Sequence, residues 1–457
     1  MSFSVNLDAD SARSESHAIL SRRILTPEGW RSGAVLVTGE RIAAIRDAEE
    51  VPTDLPVYDV GDAVLTPGVV DTHVHLNEPG RTEWEGFACG TRAAAAGGIT
   101  TLVDMPLNSI PVTTTLAGLQ AKQAAAQDHC WVDVGLWGGV VPGNLEQLGP
   151  MAEAGVLGFK AFMCDSGIEE FPASSEVVLR AAMRELAPLG VPLLVHAELE
   201  SAGPAAVTAS RDYATFLASR PAAMEVAAIA VLARLCLETG CRVHIVHLSA
   251  ADALPVIAKA REVGAPLSVE TCPHYLTFAA EEIPDGATEF KCIPPIREAS
   301  NRERLWQALQ EGVIDFVACD HSPCTPALKQ RELGDFQAAW GGIASLQFSL
   351  MAVWTAAQAR GIALPQVYDW LAARPAAFCR QGRRKGAIAP GLDADLVAWQ
   401  PDAPVLVQAD RLFHRHPTTP YLGRELRGRV DATWLRGRRI YHDGACVEHP
   451  IGRLLRP

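Results

Sequence analysis

Short apolar runs recur along the middle of the chain, separated by alanine- and leucine-rich segments of helical length. The runs are Val64–Leu76, Ile99–Met105, Val132–Val141, Val156–Met163, Pro192–Glu198, Arg242–Leu248, Pro266–Thr271 and Ile314–Asp320. Runs that are apolar almost throughout are typical of parallel strands buried on both faces, and the intervals are long enough for helical crossovers. Eight repeats in about 260 residues predict an α/β fold, a (β/α)₈ TIM barrel, with a doubly wound open sheet as the alternative.

Both ends of the chain carry short β-type runs instead of this repeat. The first runs lie between Ala18 and Tyr58, and those near the other end are Asp395–Trp399, Ala432–Leu435 and Arg438–Tyr441. Neither end alone has enough strands to make a stable sheet. We therefore expect both ends to pair into one small composite β-sandwich subdomain, made of residues 1–64 and 385–457, beside a barrel of residues 65–384.

Six ligand-type side chains fall at the C-terminal ends of the predicted barrel strands. They are His73 and His75 on the first strand, Lys160 on the fourth, His196 on the fifth, His247 on the sixth and Asp320 on the eighth. Barrel closure brings all these strand ends to one mouth, so the six residues would share a pocket. Imidazoles and a carboxylate favour a divalent cation, most simply Zn²⁺, although the same site can take Co²⁺, Mn²⁺ or Fe²⁺.

Lys160 is the unusual member of this set because an ammonium ion repels a metal. It becomes a ligand only when it is deprotonated or converted to a carbamate, whose two oxygens can bridge two ions. Two ions sharing such a bridge and a hydroxide would lower the pKa of water and polarise a carbonyl group. Asp320 would then take the proton from the nucleophile and pass it to a departing nitrogen. The pattern therefore predicts metal-dependent hydrolysis.

The composition excludes several other classes of function. The formal net charge of −13, with no dense basic face, argues against a nucleic-acid or anionic-membrane partner. The opening residues Met1–Ser16 are polar and lack the apolar core of a secretory signal, and no uncharged apolar run approaches about 18 residues. We therefore expect a cytoplasmic protein. The eleven cysteines are scattered, so we expect no disulfide scaffold.

The six ligand-type residues resemble the binuclear metal site of the cyclic-amidohydrolase branch of the amidohydrolase superfamily, and the likeness covers nearly the whole chain. It implies that the two histidines of the first strand bind a buried metal ion. It further implies that Lys160, carboxylated on its side-chain nitrogen, bridges this ion to a second one held by the histidines of the fifth and sixth strands. Asp320 would be both a ligand and the catalytic proton shuttle. The resemblance also implies the composite β-subdomain and a homotetramer.

Residues that separate the members of this branch favour the allantoinases. Dihydroorotases usually have an arginine where this chain has Asn77, and hydantoinases or dihydropyrimidinases have a tyrosine where it has Asp165. The segments that resemble allantoinases are Glu78–Phe87, Asp104–Ser109, Lys291–Arg297, Asp320–Cys324 and Trp340–Ile343. The implied reaction is hydrolysis of the cyclic amide of allantoin to allantoate. Another cyclic-amide hydrolase is the first alternative, and a non-catalytic scaffold on this fold is the second.

The resemblance also suggests contacts for a neutral substrate that is rich in amide and ureido groups. Asn108 and Ser322 follow strand ends at the expected mouth and are candidate substrate contacts, with turn or capping roles as the alternative. Backbone groups around Cys292 and Ile293 are further candidates.

Two more histidines lie next to predicted strand ends. His321 follows Asp320, and His274 lies in the segment Cys272–Tyr275. Each could orient a metal ligand through a ring nitrogen, or be a hydrogen-bonded residue of the core.

Overall fold

A computed structural model describes residues 16–204 and 208–457, so nearly all of the polar opening stretch Met1–Ser16 lies outside the described residues. The strands before the barrel are β1 His17–Thr26, β2 Gly29–Thr38, β3 Arg41–Arg46, β4 Val57–Asp59 and β5 Val64–Pro67. The barrel strands are β6 Val69–Val74, β7 Ile99–Asp104, β8 Asp133–Leu136, β9 Gly138–Gly139, β10 Phe159–Phe162, β11 Leu193–His196, β12 Val243–Ile245, β13 Leu267–Thr271 and β14 Phe316–Val317. The last strands are β15 Leu396–Leu406, β16 Glu425–Leu435, β17 Arg438–His442 and β18 Ala445–Cys446.

Helices occupy most of the intervals between the barrel strands. They are α1 Phe87–Ala96, α2 Leu116–Ala126, α3 Leu145–Glu153, α4 Glu176–Leu186, α5 Tyr213–Ser219, α6 Ala222–Thr239, α7 Leu254–Glu262, α8 Pro273–Thr277, α9 Ala299–Gln310, α10 Ser349–Gln358, α11 Leu364–Tyr368 and α12 Arg374–Phe378, with a π-helical turn at Asp369–Ala373. Short 3₁₀ turns lie at Ala48–Glu50, Glu200–Ala202, Ala251–Ala253, Ala280–Glu282, Thr288–Phe290, Pro326–Lys329, Leu346–Phe348 and Ala409–Arg411.

The strands β6 to β14 are parallel and follow one another in sequence order around a barrel. Only Trp137 separates β8 from β9, so these two count as one interrupted strand, which gives eight barrel strands in the described chain. A parallel bridge between Val74 and His321 joins the first strand to the end of the eighth. The predicted TIM barrel is therefore confirmed, and each predicted apolar run contains one barrel strand.

The two chain ends form a single nine-stranded sheet. Its order is β18-β17-β16-β15-β5-β1-β2-β3, with β4 beside β1. The strand β5 joins the ends because it pairs in parallel with β1 and antiparallel with β15. This confirms the composite β-subdomain. The sheet reaches Pro67 in β5, and the division of the chain at residues 64 and 385 stays a prediction.

The segment Tyr213–Thr239 is long and apolar enough, by length and composition, to cross a membrane. In the structure this segment contains two helices, α5 and α6, and α6 packs between α4 and α7 in the helical layer of the barrel. The helix α6 also carries the buried Glu225, whose carboxylate accepts hydrogen bonds from Arg297 Nη2 at 2.8 Å and from the Ser249 N–H at 2.9 Å. These contacts identify α6 as a packed helix of the barrel.

A buried ion cluster fastens the composite sheet to the barrel. Lys385 Nζ lies 2.8 Å from Asp133 Oδ2 in β8 and 2.5 Å from Asp395 Oδ2 next to β15. Arg436, between β16 and β17, also contacts Asp133. Burial by itself lowers the pKa of Lys385, but Asp395 and Asp133 raise it above its ordinary value. The ammonium ion therefore balances carboxylates that would otherwise be buried and unpaired.

We expect Lys385→Met to destabilise the protein by about 3–5 kcal/mol, because it removes one partner of a buried ion network and leaves the other charges uncompensated. Urea unfolding followed by circular dichroism measures the effect. Lys259→Met is the matched control, because Lys259 pairs with Glu262 in an exposed ion pair and its loss should change stability by less than about 0.5 kcal/mol. Equal stability of the two variants would contradict the role of the cluster.

Candidate metal centre

His73 and His75 lie at the C-terminal end of β6, where the alternation of side chains along an extended chain turns both imidazoles to one side. Asp320 follows β14, the neighbouring strand at barrel closure. Its Oδ1 atom lies 3.3 Å from His73 Nε2 and 3.6 Å from His75 Nε2. All three side chains are buried, and their donor atoms lie within 4.8 Å of one another. This is the spacing of ligands around a single ion.

The other three ligand-type residues line the same cavity, which has a volume of about 310 Å³. Lys160 comes from β10, His196 from the end of β11, and His247 follows β12. The His247 ring centroid lies 5.4 Å from that of His73 and 4.6 Å from that of His196. The barrel therefore brings all six predicted residues to one mouth, while their assignment as metal ligands stays a prediction.

The buried polar atoms at this mouth that have no hydrogen-bond partner within the described chain include Lys160 Nζ, His247 Nδ1 and Asn108 Oδ1. Burying such groups unpaired costs free energy, so they fit a site that is completed by a bound group. Burial lowers the pKa of Lys160 to about 7, and burial lowers the pKa of His75 and His247 well below the ordinary value. Neutral imidazoles are the form that binds a metal, and a neutral amine is the form that can be carboxylated.

The backbone is strained where functional side chains leave the strands. Asp320 has a φ of 44°, His247 a φ of 39° and Asn108 a φ of 66°, all in the left-handed region. Non-glycine residues in sparsely populated conformations cost about 1–3 kcal/mol each and persist only where the surrounding structure holds them. The surrounding structure therefore holds these three backbone positions of the mouth in the left-handed region.

Glu270 in β13 is a functional residue that the sequence analysis missed. Its Oε1 lies 2.5 Å from His73 Nδ1, and its Oε2 lies 3.1 Å from His244 Nε2. Burial alone raises the pKa of this carboxyl, but His73 and His244 lower it to about 2. The carboxylate thus occupies Nδ1 of His73 and leaves Nε2 for the cluster with Asp320. The available signal was an acidic residue inside a buried apolar run.

Glu198 plays the corresponding part for His196 and was also missed. Its Oε2 lies 2.7 Å from His196 Nε2, and it accepts a second hydrogen bond from Arg220 Nη2 at 2.8 Å. Burial raises the pKa of Glu198, but the contacts with His196 and Arg220 lower it to about 2. Phe162 stacks on the His196 ring at 4.7 Å. The imidazole is therefore held on its edge and on its face.

The structure places three of the four predicted substrate contacts in the cavity lining. Asn108, Ser322 and Ile293 line the cavity, whereas Cys292 is buried and is not among the residues that line it. Asn108 Nδ2 lies 3.4 Å from His75 Nδ1, and Ser322 Oγ donates to Asp320 Oδ1 at 2.9 Å. Both polar side chains therefore touch the ligand-type residues, and their contact with substrate stays a prediction.

Asp165 and Asn77, which differ from the residues of hydantoinases and dihydroorotases at these positions, lie in different parts of the structure. Asp165 lines the cavity, and its Oδ1 accepts a hydrogen bond from the Gly167 N–H at 3.0 Å. Asn77 is buried outside the cavity lining, and its Nδ2 donates to the Pro323 carbonyl at 3.4 Å. Position 77 therefore supplies no cation to the cavity.

A segment of the cavity wall, residues 337–342, is held by two buried lysines. Lys291 Nζ donates to the carbonyls of Gln337 at 2.9 Å and Ala339 at 2.6 Å, and Lys329 Nζ donates to that of Trp340 at 3.0 Å. Lys291 also lines the cavity. Burial lowers the pKa of Lys291 to about 8. Lys291 begins the segment Lys291–Arg297, and its residue type and position in the sequence predicted no role for it.

Comparison with known proteins identifies close relatives. The model of the amidohydrolase family matches residues 64–440. An allantoinase of Streptomyces avermitilis is 52% identical over 438 residues, covering 95% of this chain and 97% of that protein. A protein of Aquarana catesbeiana named as a mitochondrial allantoinase is 49% identical, covering 80% of this chain and 76% of that protein.

A solved structure shares the fold over nearly the whole length. The L-hydantoinase (dihydropyrimidinase) of Arthrobacter aurescens superposes with a TM-score of 0.89 at 30% identity, covering 96% of this chain and 99% of that chain. The architecture around the site is therefore that of cyclic-amide hydrolases, while the sequence is more similar to allantoinases.

We expect Glu270→Gln to weaken divalent-metal binding by about 10–100-fold, because the neutral amide orients and polarises His73 less well than the carboxylate. Competition with a chromophoric chelator measures the affinity. Glu225→Gln is the control, since Glu225 is also buried but its hydrogen bonds come from Arg297 and from the backbone N–H groups of Ser249 and Ala250. Unchanged metal affinity in Glu270→Gln would rule out this role.

The Glu270 carboxyl also predicts a pH dependence of stability. Its pKa is lowered from 4.5 to about 2, so it contributes on the order of 3 kcal/mol above pH 4.5, and this is lost as the pH falls through 2. Between pH 5 and pH 3, the metal-free protein should lose about 2 kcal/mol more stability than Glu270→Gln. Urea unfolding at the two pH values measures this difference, and parallel losses would contradict it.

Proposed function

The chain belongs to the amidohydrolase family, and we propose that it is an allantoinase, which hydrolyses the cyclic amide of allantoin to give allantoate. The observation that carries this proposal is the 52% identity to an allantoinase along 95% of the chain. The buried cluster of His73, His75 and Asp320 supports it, because it provides the metal-type donors that such a hydrolysis uses.

The site residues fit two divalent metal ions, with Zn²⁺ as the first choice and Co²⁺, Mn²⁺ or Fe²⁺ as alternatives. His73, His75 and Asp320 would hold one ion and the histidines at 196 and 247 the other, with carboxylated Lys160 between them. The unpaired Lys160 Nζ and His247 Nδ1 support this assignment. When bound, the ions would supply Lewis acidity and lower the pKa of water.

Asp320 is the residue that we assign to proton transfer. Burial raises its pKa above the ordinary value, which makes the carboxylate a better proton acceptor, and Ser322 Oγ fixes one of its oxygens. In the hydrolysis, the oxygen of water forms a bond to the amide carbon and the ring C–N bond breaks. Asp320 takes the proton from the water and gives it to the departing nitrogen.

The lining of the cavity favours allantoin over the alternative substrates. Asn108, Ser322 and Lys291 present hydrogen-bonding groups that suit the neutral, amide-rich ring and ureido arm of allantoin. The chain also has Asn77 where dihydroorotases usually have the arginine that pairs with the substrate carboxylate. Asp165 replaces the tyrosine of hydantoinases, and an ionised carboxylate cannot donate a hydrogen bond to a developing oxyanion.

We also propose that the protein is a homotetramer and acts in the cytoplasm. The family resemblance supports the tetramer. The Aquarana catesbeiana relative carries the name of a mitochondrial enzyme, so cell fractionation decides between the two compartments.

We expect ring opening of allantoin, and slower or no turnover of hydantoin, dihydrouracil and dihydroorotate, by protein reconstituted with metal and bicarbonate. Lys160→Ala should lose bound metal and at least about 100-fold in kcat, because the bridging group is gone. Acetate should restore part of both, since a small carboxylate can occupy the space left by the truncated side chain.

Lys259→Met, an exposed lysine variant, serves as the control and should keep full activity. Faster turnover of another ring would retain the metal chemistry but overturn allantoin as the substrate. Full activity and metal content in Lys160→Ala would overturn the bridging role of the lysine.

A further inference from the structure

A second group of metal-type donor atoms shares Asp320 with the site described above. The Sγ atom of Cys272, a ring nitrogen of His274 and a carboxylate oxygen of Asp320 all lie within 4.8 Å of one another. Cys272 directly follows β13 and His274 lies in the first turn of α8, so both come from the seventh strand end of the barrel. All three side chains are buried.

His274 is the unexplained member of this group. Its side chain is completely buried, and neither Nδ1 nor Nε2 has a hydrogen-bond partner within the described residues. His321 is equally buried, but its Nδ1 accepts hydrogen bonds from the backbone N–H groups of Ser345 and Leu346. A buried imidazole with two unsatisfied nitrogens is costly, and its lone pair faces no competing donor. His274 therefore does not behave as a hydrogen-bonded core histidine.

The thiol of Cys272 is the donor that distinguishes this group from the six ligand-type residues. The neighbouring Cys319 is already engaged, because its Sγ donates to the His73 carbonyl and accepts from the His321 N–H. A thiolate with an imidazole and a carboxylate suits soft or borderline ions such as Cd²⁺ and Zn²⁺. Such a donor set is poor for Mg²⁺ and Mn²⁺, which prefer oxygen ligands.

We propose that Cys272, His274 and Asp320 form a third cation site, which takes a thiophilic divalent metal and inhibits the enzyme when it is filled. Binding forms a metal–sulfur bond and releases the thiol proton to solvent, while His274 supplies a nitrogen lone pair and Asp320 one oxygen. No electron transfer is involved. The inhibitory effect rests on the proposed function, because an Asp320 oxygen held by this ion cannot carry the proton of the hydrolysis.

The experiment titrates Cd²⁺ into the full-length protein already reconstituted with Mn²⁺ and bicarbonate. Near-ultraviolet absorption reports thiolate-to-metal charge transfer, allantoin turnover reports inhibition, and elemental analysis after gel filtration reports whether the resident Mn²⁺ stays bound. We expect a charge-transfer band that grows with the loss of activity while the Mn²⁺ content stays constant.

Cys272→Ser and His274→Gln test the donors separately, so that a folding defect in one variant does not decide the result. Each should remove the band or weaken it, and raise the Cd²⁺ concentration for half-inhibition at least about tenfold. Cys379→Ser is the matched control, because Cys379 is a buried thiol whose Sγ contacts only the Ala376 carbonyl at 3.6 Å among its hydrogen bonds. It should behave like the unaltered protein.

A band and an inhibition curve that persist unchanged in both variants would overturn the proposal, as would inhibition that simply follows loss of Mn²⁺. The band is measured without substrate, so it is independent of the assigned reaction. A band that depends on Cys272 in a protein that does not open allantoin would keep the site and overturn the proposed function. Turnover of allantoin without such a band would keep the proposed function and overturn the third cation site.

Discussion

The seam between the first and eighth barrel strands determines the geometry of the site. The carboxylate of Asp71 accepts hydrogen bonds from the backbone N–H of His73 at 3.1 Å and from that of Cys319 at 3.2 Å. The His75 N–H donates to the His321 carbonyl at 2.8 Å along the same seam. Because side-chain direction alternates along a strand, a shift of one residue here would turn Asp320 away from the two imidazoles. Barrel closure and assembly of the donor cluster are therefore one event.

Two buried carboxylates hold imidazoles of the site in place from outside the cluster. Glu270 links His73 to His244, and Glu198 links His196 to Arg220, so each imidazole is held from the side opposite the cavity. Inside a protein such networks stabilise only when every member is paired, and an unpaired polar group is costly. The groups left unpaired at the mouth, including Lys160 Nζ, are those that face the cavity. The mouth therefore keeps polar atoms available for a bound group.

Much of this arrangement could be predicted from the sequence because it depends on local pattern. Apolar runs of strand length identified the barrel strands, and the position of His73 or Asp320 at the end of a run placed it at the mouth. Glu270 could not be assigned in the same way, since its partner His73 lies 197 residues away and the pairing depends on how two strands face each other inside the barrel. Lys291 was missed because its partners are backbone carbonyls, which carry no sequence signal. The position of Cys292 outside the cavity lining depends on a local backbone turn, which residue identity does not specify.

The composite sheet has a consequence for how the chain is made. Thr66 in β5 pairs with Val397 in β15, a separation of 331 residues, so the strand that leads into the barrel waits for the last part of the polypeptide to leave the ribosome. Contacts at such separations form slowly because a long loop must close first. During that interval the edge of β5 offers unpaired backbone groups to any neighbouring chain. A newly synthesised molecule therefore depends on its own C-terminal strands, or on a chaperone, to cover that edge during the final stage of translation.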